Sequence, residues 1–162
     1  MSTRKKGTVS IDSFRQQHRE LMQLTKEIVP LLDAERLARD CTEARLKLAT
    51  WARKLRVHVT LQERSLYPRL MTHSDPQVVK KAARFQQDIS TLSDQLTVYC
   101  RDWLAEESTI REGAVTFVEQ TKAMFDQMTM RFHFEDDLYV LADQTTAVGA
   151  RESVPAPSGA IR

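Results

Sequence analysis

The feature that most constrains the fold is a set of four long segments in which apolar residues recur every three or four positions. The first segment carries Ile11, Phe14, Leu21 and Ile28, and Ser10 stands where an N-cap belongs. This spacing places one apolar stripe along an α-helix, whereas no window alternates with the period of two that half-buried strands show. Because only 4 glycines and 5 prolines interrupt the chain, the sequence favours long helices.

The other three segments repeat the pattern. The second spans about residues 41–72 and contains Pro68, so we expect a kink near its end. The third begins at residues 74–76, Ser-Asp-Pro, where an acidic cap precedes a proline at the first helical position. Thr109 and Glu112 have capping-box spacing ahead of the fourth segment. Four amphipathic helices joined by short connections predict an all-α fold, an up-down antiparallel four-helix bundle.

Length and composition predict one domain. A chain of 162 residues has the size of a single domain. We expect the bundle to cover residues 10–144, between a flexible basic N-terminus at 1–9 and a disordered tail at 145–162. The tail is assigned because it contains glycine, proline and serine and lacks apolar periodicity.

Charge and cysteine usage exclude several classes of protein. The 24 basic and 22 acidic residues nearly balance, so we expect no direct binding of nucleic acid. No apolar stretch approaches the ~20 residues of a membrane span. Cys41 and Cys100 lie far apart without a CxxC motif, which is typical of reduced thiols in a cytoplasmic protein. The chain has no nucleophile elbow, glycine-rich phosphate loop or Cys/His cluster, so we do not expect an enzyme.

Several side chains of the metal-binding type fall on or beside the apolar stripes. His18 occupies a stripe position where an apolar residue is expected, and His58 lies one turn after Leu55 at the edge of the second stripe. Burying ionisable groups is costly unless they pair with each other or bind a cation. We therefore predict a metal site in the bundle core, whose candidate ligands are His18, His58, Glu63, Asp88 and Glu135.

Each candidate ligand also has an interpretation without a metal. A core histidine can be a hydrogen-bonded structural residue, and Glu63 can pair with a neighbouring arginine. Asp88 can pair with Arg84 one turn earlier, and Glu135 can pair with Arg131 in the same way. The residues alone leave both interpretations open.

Five sequence features carry a family resemblance: His18, His58, Leu-Tyr-Pro at 66–68, Ser-Asp-Pro at 74–76, and the Arg-to-Tyr motif at 131–139. Over about residues 11–143 they resemble the hemerythrin-like, or HHE cation-binding, family of up-down helical bundles. The resemblance implies a non-haem di-iron site. It also implies a role in sensing oxygen, nitric oxide, iron or redox state.

The sequence departs from the family pattern at several ligand positions. The usual glutamate four residues after the second-helix histidine is Gln62, although Glu63 can substitute for it, and the fourth-helix histidine position is Arg131. The third helix lacks its usual histidines, and we expect His73 and His133 to face solvent. The resemblance then implies a partial site that holds one iron ion, a carboxylate-rich metal pair or no metal, with Gln62 and Arg131 around it. Such a site is not expected in a reversible oxygen carrier.

The segments at 58–64 and 131–138 also resemble the Rsd/AlgQ family, helical proteins that bind the primary sigma factor of bacterial RNA polymerase. These proteins are similar in length and topology and are not metalloenzymes. The sequence therefore supports two functional hypotheses. The first is a hemerythrin-like binding or sensing module that regulates through a protein partner. The second is a metal-free regulator that binds a sigma factor.

Overall fold

The computed structural model describes the backbone of residues 10–152 and the side chains of residues 10–144. Within that range the helices are α1 (Ile11–Ile28), α2 (Ala34–Arg39), α3 (Thr42–Leu61), α4 (Tyr67–Leu70), α5 (Pro76–Trp103), α6 (Glu107–Glu112) and α7 (Ala114–Glu152). No residue of that range lies in a β-strand, so the all-α prediction is confirmed.

The long helices α1, α3, α5 and α7 form a bundle. Helix α1 packs against α3 and α7, and α5 packs against the same two helices, so the four stand in a ring. Lys54 on α3 pairs with Glu20 on α1. Lys47, earlier in α3, pairs with Glu27, later in α1. The lysine that comes earlier in α3 therefore pairs with the glutamate that comes later in α1, so the two helices are antiparallel, as predicted.

Two of the three predicted helix starts are confirmed. Ser10 caps α1 and Asp75 caps α5, each with a side-chain oxygen that accepts a backbone N–H. The capping box at Thr109 and Glu112 is wrong, because both residues lie inside the short helix α6. Helix α6 starts after Glu106, whose side chain makes no capping hydrogen bond.

The predicted irregularity near Pro68 is a π-helical turn over Gln62–Leu66. Tyr67 N–H donates to the carbonyl of Gln62, five residues back instead of the usual four. Pro68 is the residue after Tyr67. Because proline has no N–H, the regular backbone hydrogen bond from this position cannot form. The wide turn places Gln62 and Tyr67 on the core side of the helix and leaves Glu63 exposed.

The C-terminal end of the described part differs from the prediction. Helix α7 continues to Glu152, so the backbone of 145–152 is helical where we expected the disordered tail to begin. Propagating an existing helix adds one hydrogen bond per residue, which favours continuation past Ala142, a buried residue. The rest of the predicted tail and the predicted flexible segment at 1–9 lie outside the described residues.

The short helices α2 and α6 lie in the connections of the bundle, and apolar periodicity did not predict them because six residues span fewer than two turns. Among the described residues, no helix is both long enough and apolar enough to cross a bilayer.

Candidate metal centre

Three of the predicted ligands meet in the core of the bundle. His18 Nε2 lies 3.2 Å from His58 Nε2 and 3.2 Å from Glu135 Oε2. His58 Nε2 lies 3.6 Å from the same glutamate oxygen. The exposed fractions of His18, His58 and Glu135 are 3%, 1% and 0%, so all three side chains are out of contact with bulk water. This is the arrangement of two imidazoles and one carboxylate that can hold a metal ion.

The local sequence explains why these side chains point inward. Phe14 precedes His18 by one turn on α1, so the two share the buried face of that helix. Phe132 precedes Glu135 by one turn on α7 and defines the buried face there. His58 lies on the core face of α3, just before the π-helical turn. Three helices of the ring therefore each contribute one ligand-type side chain.

Aromatic rings enclose the two imidazoles. Phe132 stacks on His18, with ring centroids 4.4 Å apart, and meets His58 edge-on at 5.8 Å. Phe14 also meets His58 edge-on at 5.8 Å, and Tyr139 lies nearly parallel to His18 at 5.7 Å. Rings at these positions exclude water, and a lower local dielectric strengthens every charge interaction in the cluster.

The outer nitrogens of both imidazoles have acceptor partners. His58 Nδ1 lies 2.6 Å from Gln17 Oε1, and His18 Nδ1 lies 2.8 Å from Asp136 Oδ1. An amide oxygen and an ionised carboxylate only accept, so each Nδ1 carries the proton and donates it. In a neutral ring the opposite nitrogen, Nε2, then has a free lone pair. When both rings are in this neutral form, the two lone pairs lie at the centre of the cluster.

Glu135 receives donors from several sides. The amide Nε2 of Gln62 and the hydroxyl of Tyr139 both donate to Glu135 Oε2, the hydroxyl at 3.2 Å. Arg131 Nε lies 2.6 Å from the other carboxylate oxygen, Oε1, off the N–H direction, so the contact is an ion pair rather than an aligned hydrogen bond. Gln62 Oε1 is buried and has no hydrogen-bond partner among the described residues.

The surroundings fix the charge of two members of the cluster. Burial lowers the pKa of His58 more than the neighbouring Glu135 raises it, so this ring is neutral at pH 7. Burial alone would raise the pKa of Glu135. Hydrogen bonding of an imidazole Nε2 to the carboxylate, which requires a proton on that nitrogen, and the charge of Arg131 outweigh burial and hold that pKa well below its ordinary value. Glu135 is therefore a carboxylate, and it faces a neutral imidazole.

The three converging atoms fit a metal ion. With separations of 3.2, 3.2 and 3.6 Å, the point equidistant from the two Nε2 atoms and Oε2 lies about 1.9 Å from each, against ligand distances of roughly 2.0–2.2 Å for a transition metal. Two lone pairs and an anionic oxygen this close repel each other unless a cation lies among them. The outer hydrogen bonds of His18 and His58 are those that orient imidazole ligands in metal sites.

The structure does not bring Glu63 and Asp88 into this cluster. Glu63 is exposed because the π-helical turn rotates it to the outer side of the helix. Asp88 is exposed because the buried face of α5 at this level is set by Ile89, the next residue. Gln62 and Arg131, expected around the site, both contact Glu135.

Sequence reasoning missed several residues that shape the centre. Gln17 and Asp136 directly neighbour predicted ligands in the sequence. Gln17 on α1 accepts from the outer nitrogen of His58 on α3, and Asp136 on α7 accepts from the outer nitrogen of His18 on α1. A search for acceptors adjacent to core histidines and glutamates would have proposed both. His133 is exposed as predicted, whereas His73 is half-buried and bonded to the carbonyl of Ala142, so its assignment as solvent-facing was wrong.

Fold and centre together define a class of protein: an antiparallel helical bundle with a buried group of two histidines and one glutamate able to bind a cation. The hemerythrin HHE cation binding domain matches residues 9–141, and the chain belongs to that family. No significant match to a curated protein or to a solved structure was found.

Proposed function

We propose that this protein is a cation-binding regulatory module that holds one transition-metal ion, by preference iron, at His18, His58 and Glu135. The observation that carries the proposal is the convergence of two imidazole nitrogens and one carboxylate oxygen on a single point. Membership of the cation-binding family supports it.

A proton is the alternative cation for this point, and it fits less well. A proton on His18 Nε2 makes one good hydrogen bond, so it can serve either His58 Nε2 or Glu135 Oε2 but not both equally. A metal ion accepts lone pairs from all three atoms at once. Two imidazoles and one carboxylate are a common ligand set for non-haem ferrous iron, which is the basis for preferring iron.

A bound iron ion would supply a Lewis-acid centre and a one-electron redox couple. The chain's own residues restrict what can reach it, since the ligand side chains are buried and Phe14, Phe132 and Tyr139 surround the imidazoles. Only a very small molecule fits such a centre without rearrangement of the bundle. We therefore propose sensing and regulation through a protein partner in the cytoplasm, rather than turnover of an organic substrate.

Metal content and thermal stability test the proposal. Protein purified without a His tag or chelator is analysed for bound metals, and melting curves are recorded with and without ferrous or zinc ions. A ligand at 100 times its dissociation constant stabilises the folded state by about 2.7 kcal/mol. We expect the melting temperature of the wild type to rise by roughly 5–10 °C. His58→Ala should abolish the rise, whereas His133→Ala, at an exposed position, should retain it.

A second candidate function, the metal-free regulator that binds a sigma factor, is favoured by one observation. Arg131 already neutralises Glu135, and Gln62 and Tyr139 donate to it, so the carboxylate is compensated without a metal. The identity of the partner rests on sequence resemblance alone. Indifference of the melting temperature to every metal, together with capture of a purified sigma factor by the wild type, would favour this function over the first.

A further inference from the structure

The two oxygens of Glu135 face different partners. Oε2 faces His18 and His58, whereas Oε1 faces the guanidinium of Arg131, whose Nε lies 2.6 Å away. Glu135 and Arg131 stand one turn apart on α7, so the pairing is built into a single helix. The carboxylate therefore presents one oxygen to the metal-binding point and has the other occupied by a fixed cation.

Three residues hold the guanidinium of Arg131 in place: Glu135, Tyr67 and Phe85. Its side chain is only 12% exposed. One terminal nitrogen donates to the hydroxyl of Tyr67 at 3.1 Å, and the guanidinium carbon lies 5.2 Å from the centre of the Phe85 ring. Phe85 in turn stacks on Tyr67, with nearly parallel rings. The π-helical turn is what directs Tyr67 toward Arg131, so the head group is anchored and does not swing freely into solvent.

The charges decide what this anchor does to metal binding. Without Arg131, Glu135 would bring one uncompensated negative charge to the centre, which attracts a divalent ion strongly in a water-poor core. With Arg131 present, that charge is already neutralised, and the incoming ion is also repelled by the guanidinium. Asp136, the other nearby acid, is bonded to His18 and its side chain is 46% exposed, so water screens much of its charge.

We infer that Arg131 is a built-in counter-ion that sets a low affinity of this centre for metal ions and restricts Glu135 to one metal-facing oxygen. The inference rests on the proposed function, because it concerns the same His18–His58–Glu135 centre. It assigns to Arg131 a role in tuning metal affinity, in addition to its part in holding the fold. The centre fills only when free metal is abundant, which is the behaviour of a threshold sensor.

Metal-binding measurements on four proteins test the inference. The wild type, Arg131→Gln, Arg131→Lys and the control Arg101→Gln are titrated with zinc, and anaerobically with ferrous ion, by calorimetry and by competition with a coloured chelator. Arg101 is an exposed arginine paired with Asp102, so its substitution removes the same charge on a different helix. We expect Arg131→Gln to bind each ion at least tenfold more tightly than the wild type. Arg131→Lys and Arg101→Gln should stay within about threefold of the wild type.

The outcomes separate the two proposals. Equal or weaker binding by Arg131→Gln overturns the inference and leaves the proposed function standing if the wild type binds one ion. Binding by Arg131→Gln alone, with none by the wild type, supports the inference and overturns the proposed function. No binding by any of the four proteins overturns both. If Arg131→Gln is unfolded without metal, folding restored by micromolar zinc counts as the expected result, and failure of zinc to restore it overturns the inference.

Discussion

Gln17 Oε1 lies 2.6 Å from His58 Nδ1 and joins α1 to α3 beside the group of His18, His58 and Glu135. The bond fixes the proton on Nδ1 and leaves Nε2, the nitrogen that faces His18 and Glu135, with its lone pair. An exchange of tautomer would place a proton where a metal ion is expected. Gln17 is therefore a positioning residue for His58. Its own side chain is half-exposed on the surface of α1.

Replacement of this amide should weaken metal binding without unfolding the protein. We expect Gln17→Leu to lower the affinity for zinc or ferrous ion about 10- to 100-fold, because substitutions of such orienting partners have effects of that size. Calorimetric titration measures the change, and circular dichroism checks that the helices persist. Gln23→Leu, the same substitution at an exposed position of α1, is the matched control and should bind like the wild type. Unchanged affinity in Gln17→Leu would show that His58 needs no orienting partner.

The hydroxyl of Tyr139 links Gln62 to Glu135 inside the core, accepting from the amide at 3.3 Å and donating to the carboxylate at 3.2 Å. Loss of a buried hydrogen bond costs about 1–3 kcal/mol, so Tyr139→Phe should lower the free energy of unfolding by that amount. It should also strengthen metal binding several-fold, since Glu135 Oε2 loses a competing donor. Urea unfolding with and without zinc measures both effects.

Tyr99→Phe is the control for that substitution. Tyr99 and Thr121 share a buried hydrogen bond of 2.6 Å on α5 and α7, and neither belongs to the group of His18, His58 and Glu135. This variant should lose a similar amount of stability while its stabilisation by zinc stays that of the wild type. If both tyrosine variants responded alike to zinc, Tyr139 would have only a structural role.

The apolar periodicity of the sequence was sufficient to predict the four long helices and the inward direction of His18, His58 and Glu135. His18 and Glu135 share a face with apolar neighbours one turn away, so α-helical geometry leaves little choice, whereas His58 lies at the edge of its stripe. Glu63 and Asp88 could not be placed in this way. Both lie at the flank of a stripe, where a modest rotation of the helix decides between core and solvent. At Glu63 the π-helical turn also breaks the 3.6-residue period on which the prediction depends.

The counter-ion arrangement lay beyond the reach of sequence reasoning for a different reason. The pairing of Arg131 with Glu135 follows from their spacing on one helix and was considered as an alternative to metal binding. What could not be foreseen is that the same guanidinium also bonds Tyr67 and faces Phe85, which come from α4 and α5. Contacts between helices depend on how the helices pack, and one sequence does not encode them as a local pattern.

Oxygen binding provides a further prediction. Only one oxygen of Glu135 faces His18 and His58, because the guanidinium of Arg131 occupies the place of a second cation at the other oxygen. We therefore expect a single ion per chain. The iron-loaded protein should therefore not act as a reversible oxygen carrier. An anaerobic ferrous sample is exposed to oxygen and then evacuated while its near-UV spectrum is followed. A strong band that appears with oxygen and disappears under vacuum would contradict the prediction.

The pH dependence of stability should report the neutral state of His58. Burial holds its pKa below the ordinary value of 6.5, so the folded protein binds this proton less readily than the unfolded chain. Stability that depends on a lowered pKa is fully present above the unfolded value and is lost on acidification. We therefore expect the free energy of unfolding to be nearly constant above pH 7. Below pH 6.5 it should fall with a slope of up to about 1.4 kcal/mol per pH unit from this residue.

Glu135 acts in the same direction at lower pH, because its pKa is held below the ordinary value of 4.5 and its charged form stabilises the folded state. Urea unfolding in the presence of a chelator, at intervals between pH 4 and 8, resolves the two ranges. His58→Gln should remove its share of the slope between pH 6.5 and 5 and keep the loss near pH 4. His133→Gln, at an exposed histidine, should leave the whole profile in place. A wild-type profile that is flat from pH 7 to 5 would mean that His58 takes up a proton in the folded protein, and the lone pair proposed for the metal ion would then be absent in that range.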